Sequence, residues 1–300
     1  MIGLASLIRR NTKLFFKDKA MFFTSLITPL ILLVLYATFL GDVYRDSFAM
    51  AIPEGFSVSE RLIDGCVGAQ LCSSLLAVCC VTVAFCSNML VVQDKANGTR
   101  CDLEITPVKR STLAVGYYVA NVISTLVVCF TAMLVCLAYM GAVGWYLSAA
   151  DVALLVLDVL LLVLFGCALS AIINCFLSSQ GQISAVGTVV SAGYGFICGA
   201  YMPISQFGEG LQKVISFLPA TYGTSLLRNH AMRGALSKME NEGIPSEVIE
   251  AVKDSVDLNI YFFDKSVSIS AMYVILVASI AVLMGIYIII NYLKIRNRGR

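Results

Sequence analysis

The side chains able to do chemistry are few in this chain, and they do not assemble into a catalytic set. Of its 300 residues, 13% are Asp, Glu, Lys or Arg. There is a single histidine, His230, and the serines are scattered, so no Ser–His–carboxylate arrangement can be drawn. No Gly-x-x-x-x-Gly-Lys-Ser/Thr stretch occurs, which excludes a phosphate-binding loop of that kind. The 11 cysteines include no Cys-x-x-Cys pair, and with one His they offer no zinc ligand set. Cys79, Cys80, Cys129, Cys136 and Cys167 fall in apolar runs and read as small packing residues. No structural disulfide is expected, and Cys66 is the cysteine expected nearest an oxidising surface. The chain is therefore read as no enzyme, with no metal or cofactor of its own and no nucleic-acid partner.

Two features remain. The first is Asp158, set between Leu157 and Val159 in a long apolar run. A carboxylate deep in a membrane span costs about 2.5–3.5 kcal/mol on insertion scales. Two readings stay open: it lines a substrate or ion path, or it bonds between helices or is hydrated near the start of its span. The second feature is the stretch 93–110, QDKANGTRCDLEITPVKR. Asp94, Lys95, Arg100, Asp102, Glu104, Lys109 and Arg110 crowd there, whereas 65–93 and 111–150 carry no charge at all. So polar a patch must project into water. Gly98 and Pro107 punctuate it, and Asp102, Leu103 and Ile105 leave room for a helical turn or two before Pro107 stops them. A small polar helix held between two spans would suit a handle for another protein. An ordinary polar loop is the competing reading.

The elements that must position these residues are helices. The chain is 59% hydrophobic, and its charged content is half that of a soluble domain, which carries about a quarter. No hydrophilic segment is long enough for a folded soluble domain, so 1–300 is read as a single all-α transmembrane domain. In 1–19, Leu4, Leu7, Ile8, Leu14 and Phe15 recur at helical spacing while Arg9, Arg10, Lys13 and Lys17 take other faces. That describes an amphipathic helix at the membrane surface, or a basic flank that orients the next span. No small-residue cleavage site follows, so the first span is expected to be uncleaved. Runs of about 20 apolar residues predict six transmembrane helices at 20–41, 66–92, 112–140, 152–176, 183–202 and 267–293.

The connections carry their own signals. A polar loop is expected over 42–64, with Asp42, Asp46, Glu54, Glu60 and Asp64. Trp145 and Tyr146 mark an interfacial turn. The long segment 204–266 contains an apolar stretch near 211–227 interrupted by Lys213 and Pro219, read as a re-entrant or interfacial helical hairpin between the fifth and sixth spans. Farther on, Ser246 is expected to cap a short helix with an apolar stripe of Val248, Ile249, Val252 and Val256. In the fifth span Ser191, Gly195 and Gly199 recur every four residues, on one face. That spacing suits a gate or subunit contact as well as plain packing. Asn121, Asn174, Gln180 and Gln182 would line a polar route or bond across helices. With six spans both termini share a side with 93–111. That side collects Arg9, Arg10, Lys13, Lys17, Lys19, the basic residues of the island, and Lys294, Arg296, Arg298 and Arg300. The opposite short loops hold Arg45 and Arg61. The positive-inside rule then predicts a multi-pass plasma-membrane protein with both termini and 93–111 in the cytoplasm and 204–266 outside.

Three stretches together resemble the ABC-2 type permease family, the membrane subunits of ATP-driven exporters. Asp94, Gly98, Leu103, Thr106-Pro107 and Gly116 are similar to its acidic–Gly–Leu–Thr/Ser-Pro–Gly pattern, although Asp94 stands where Glu is more usual. Met202-Pro203 closes the fifth span, and Leu218-Pro219-Ala220-Thr221-Tyr222 with Arg228 resembles the motif that follows it. The resemblance implies separate ATPase subunits, carrying the ATP and Mg, that grip 93–111 through Asp94, Gly98, Arg100, Asp102, Leu103, Glu104 and Pro107. It implies a second permease chain, identical or related, with a path between the two lined by the second and fifth spans. Asp158, Ser191, Gly195, Gly199, Pro203, Pro219 and Tyr222 are the candidate path or gate residues. A mostly apolar path favours export of an amphiphile: a drug, antibiotic, lipid or hydrophobic peptide. The alternatives are polysaccharide export, or a stand-alone channel or scaffold.

Overall fold

A computed structural model describes residues 2–51, 58–263 and 265–297. Helix α1 (Ile2–Lys17) buries Leu7, Asn11 and Phe15, one stripe at helical spacing. It ends at Asp18, whose carboxylate accepts a hydrogen bond from the backbone N–H of Met21 at 3.1 Å and so caps α2 (Lys19–Leu35). A π-type turn (Tyr36–Leu40) joins α2 to α3 (Gly41–Ala51) without a break. Much of the loop expected over 42–64 is therefore helix. Asp42, Arg45 and Asp46 continue the first long rod, while Glu60, Arg61 and Asp64 open α4 (Glu60–Ala96). Arg45 is paired with Asp64, which lets both helices carry charge at this end. Glu54 lies outside the described residues.

Helix α4 is the axis of the bundle. It is buried along almost its whole length and packs on α2, on α6 (Arg110–Val143), on α7 (Ala149–Phe176), on α8 (Gln180–Ile197) and on α10 (Pro219–Asn241). Between α4 and α6 stands α5 (Thr99–Ile105). Ser148 and Asp151 form a reciprocal cap at the start of α7, and Ser179 and Gln182 do the same for α8. A short α9 (Glu209–Ser216) precedes α10. Then follow α11 (Ser246–Ser255), a two-stranded hairpin of β1 (Tyr261–Phe262) and β2 (Lys265–Ser266), and α12 (Ile269–Asn297).

Among the described residues, five helical stretches are long and apolar enough to cross a membrane: 19–46, 60–96, 110–143, 149–176 and 269–294. The expected fifth span is not among them. Helix α8 has 18 residues, is diluted by Gln180, Gln182 and its glycines, and stops at Ile197 rather than near 202. The stretch read as a hairpin near 211–227 is the short α9 followed by α10, which runs on to Asn241. Ser246 does not cap α11: Pro245 holds the cap position and no side-chain bond is made, although Ile249, Val252 and Val256 are buried as the stripe requires. Cys66 is wholly buried inside α4, whereas Cys101 on α5 is exposed.

Candidate functional site

The island of charge forms a projecting corner. Gly98 takes φ +80°, a left-handed conformation that turns the chain out of α4 and into α5. None of α5 is buried; Cys101 and Asp102 are exposed, and Ile105 is 84% exposed. Ile105 thus offers a partner an apolar contact at the outer end of the charged corner. Arg100 pairs with Glu104 one turn on at 3.2 Å, and Arg110 reaches the same carboxylate at 3.5 Å, tying α5 to the start of α6. The Thr106 hydroxyl donates to the Leu103 carbonyl at 2.6 Å, closing the helix before Pro107.

The base of this corner is clamped. The two guanidinium nitrogens of Arg10 donate to the two oxygens of Asp94, at 2.8 and 3.2 Å. The Tyr117 hydroxyl donates to Asp94 at 2.5 Å. Asp94 is thus buried and faces α1, not outward; of the predicted coupling residues it is the inward anchor. Arg10 is taken from the lipid-facing set, which leaves Arg9, Lys13 and Lys17 exposed. Lys95 donates to the carbonyls of Asn174, Leu177 and Cys175 at 2.7, 3.0 and 3.5 Å, and Lys294 to that of Cys175 at 2.5 Å. Both lysines therefore close the C-terminus of α7, where unpaired carbonyls favour cations.

A second feature is a groove of about 1220 Å³ on the flank of the bundle. Its walls are α2 and α8, with Ile27, Ile31, Thr188 and Ser191 among the lining side chains; α4 contributes Cys86, Met89 and Gln93. Pro203 closes one end, and Asp18, Gln93 and Gln180 stand at the other. Within one chain the walls are therefore the first and fifth predicted segments, with the second largely buried behind them.

The remaining predicted path residues sit elsewhere. Asp158 is 1% exposed; its carboxylate lies 2.6 Å from Nδ1 of His230 and accepts from the Tyr273 hydroxyl at 2.6 Å. It bonds α7 to α10 and α12 and does not reach the groove. Gly199 is not on the face of α8: it lies beyond the helix end with φ +69°. Gly195 faces the ring of Tyr201 from the same turn, not a neighbouring helix. Pro219 is the first residue of α10, and Tyr222 donates to the Ser216 carbonyl at 2.5 Å, fixing the α9–α10 corner. Asn88, Asn121 and Ser170 hydrogen-bond across α4, α6 and α7, and Asn174 donates to the Asn88 carbonyl at 3.0 Å.

One structural residue was visible in the sequence only as part of a motif. Arg228, 1% exposed, donates to Asp257 at 3.2 Å, to Ser74 at 3.3 Å and to the Gly199 carbonyl, so it joins α10, α4 and the end of α8. Asp257 also accepts from the Ile204 N–H at 2.8 Å. Nothing in the spacing of 204–266 marks Asp257 as that partner.

The described residues form a helical bundle with spans long enough for a membrane and a charged corner that projects from it. The family model for "ABC-2 type transporter" matches residues 3–231, and the chain belongs to that family. No curated protein matches the chain. The match covers α1, the projecting α5 and most of α10. The chain is accordingly the membrane component of an ABC transporter, of a family that generally works with ABC ATPase subunits.

Proposed function

We propose that the chain is the permease subunit of an ABC exporter, driven by a separate ATPase that grips α5, and that it moves an amphiphilic substrate along the α2–α8 groove. The observation that carries this reading is α5: a short helix with an exposed apolar tip at Ile105, clamped at its base by Arg10–Asp94–Tyr117 and by the Lys95 contacts. A helix so held is a stiff lever. Movement imposed on it by a nucleotide-binding partner would pass to α4 and α6 instead of being absorbed in a loop. ATP and Mg belong to that partner.

The groove supports an amphiphilic cargo because its walls are mainly apolar, with Asp18, Gln93 and Gln180 at one mouth. A second copy, or a related permease, would cover this flank. Helix α8 would act as a short sixth span: 18 residues reach about 27 Å, near the ~30 Å of the hydrocarbon core. Both termini and α5 would then be cytoplasmic.

The test is the paired change Asp102→Lys and Glu104→Lys, with a panel of ABC ATPase subunits from the same cell as bait. The reading expects loss of co-purification and of ATP-dependent amphiphile transport, with the folded yield preserved. Unchanged association and transport would sink the coupling role of α5.

A further inference from the structure

We infer that the corner where α4, α7 and α12 end together, beside α5, binds the phosphate of an anionic phospholipid. Lys95, Arg100 and Lys294 line one cavity of about 30 Å³ there, with Asn174, Asn291 and Tyr287. These cations are close enough to repel each other: Arg100 and Lys294 both act on Lys95, and all three act on the Cys175 thiol. The carbonyls at the end of α7 offset part of that charge, but a helix C-terminus offers only about half a negative charge. The nearby carboxylates are already engaged. Glu104 is shared by Arg100 and Arg110, and Asp94 is held by Arg10. Cations stay in excess at this corner, which is a reason for an anion to sit there.

Three observations favour a lipid as its source. The candidate spans 60–96, 149–176 and 269–294 all reach this corner at one end, which would set the cavity at the depth where headgroups begin. Phe176 is 66% exposed and carries Lys294 5.5 Å above its ring. Tyr292 and Leu293 are exposed as well. Apolar surface therefore lies beside the cations, where an acyl chain would run; basic pockets between spans recognise headgroups in this way. At about 30 Å³ the cavity has room for two or three water-sized groups, at ~10–15 Å³ each. Phosphate oxygens would enter it, with the rest of the headgroup at the surface. The lipid would then brace Arg100, and with it α5, against the ends of the spans.

The experiment is native mass spectrometry of the purified full chain, with thermal unfolding as second readout, after exchange into phosphatidylcholine with or without phosphatidylglycerol. The wild type is expected to retain phosphatidylglycerol preferentially and to unfold at a higher temperature with it. Lys294→Gln and Arg100→Gln should each lower that preference, about fivefold per cation removed. Lys294→Arg should restore it, and Lys253→Gln on α11 should leave it alone. Equal retention of the two lipids by the wild type overturns the inference. So does an undiminished preference in both glutamine variants. Stabilisation by inorganic phosphate as strong as that by phosphatidylglycerol would assign the corner to a soluble anion and equally overturn it.

Discussion

Asp158 occupies a depth at which an unpartnered carboxylate is costly, and His230 and Tyr273 supply its two contacts, each at 2.6 Å. Truncating it strands both partners. Asp158→Ala is expected to destabilise the bundle by ~1–2 kcal/mol, within the range of interhelical hydrogen bonds in membranes. Tyr273→Phe, which removes one contact, should cost nearer ~0.6 kcal/mol. Thermal unfolding in detergent checks the order; a larger loss for Tyr273→Phe would mean that the carboxylate is not the hub. Arg228 is a harder case. Arg228→Met takes the guanidinium away from Asp257, Ser74 and the Gly199 carbonyl at once. A loss of ~3–5 kcal/mol is expected, because breaking a buried ion pair leaves a charge behind. At this scale the sequence was half legible. Asp158 stands out as a charge in an apolar run and His230 as the single histidine, and of the two readings of Asp158 the interhelical one matches its contacts. Their pairing was hidden because they sit on different helices, and Tyr273 is an unremarkable residue of α12 until the three helices meet.

The first helix is held by its buried stripe and by one polar clasp. Arg10 reaches across to Asp94 with two nitrogens, and that bond raises the guanidinium's pKa above its ordinary value. A raised pKa means that the stabilisation is present below the unfolded value and lost only as pH climbs through the folded one. For an arginine that window is strongly alkaline, so the clasp holds throughout the physiological range. Arg10→Ala should free α1 while α4 and α6 stay packed. Hydrogen exchange confined to residues 2–17 and the turn at 97–98 is the expected signature, and Arg10→Lys should restore it only partly, since an ammonium lacks the fork. Uniform acceleration over the whole bundle would contradict that picture. The presence of a long apolar helix was legible wherever length and apolarity decide, as for α4, α6, α7 and α12, but not where each begins and ends. Boundaries failed where tertiary partners decide. Arg45 and Asp64 pair, so charged residues taken for a loop extend two helices. Gly199 turns left-handed, so α8 ends early although apolar residues follow Ile197.

At the scale of the molecule, the groove and the proposed lever α5 lie on different parts of α4. Helix α4 sends Cys86, Met89 and Gln93 into the groove and hands its last turn to Gly98 and α5. A displacement of α5 would therefore have a direct route along α4 to the back of the groove, about one to three turns of helix away. The resemblance directed attention to the second and fifth spans, but apolarity alone does not say which face of a span is covered. In the fold the second span is the packed interior and the first segment, α2, is the open wall. This makes the groove testable apart from the lever. Thr188 lines it, whereas Val274 on α12 is 68% exposed and outside the lining set. Thr188→Trp should fill part of the groove and lower amphiphile transport by about tenfold or more, the effect of ~1.4 kcal/mol on a barrier. Val274→Trp adds a ring of the same size to the bundle surface and should leave transport unchanged. Both should keep their ATPase partner, because α5 is untouched. Vesicle uptake assays with matched protein amounts separate the outcomes. If the two tryptophans act alike, the α2–α8 groove is not the route. If Thr188→Trp instead abolishes partner association, groove and lever are not separable along α4.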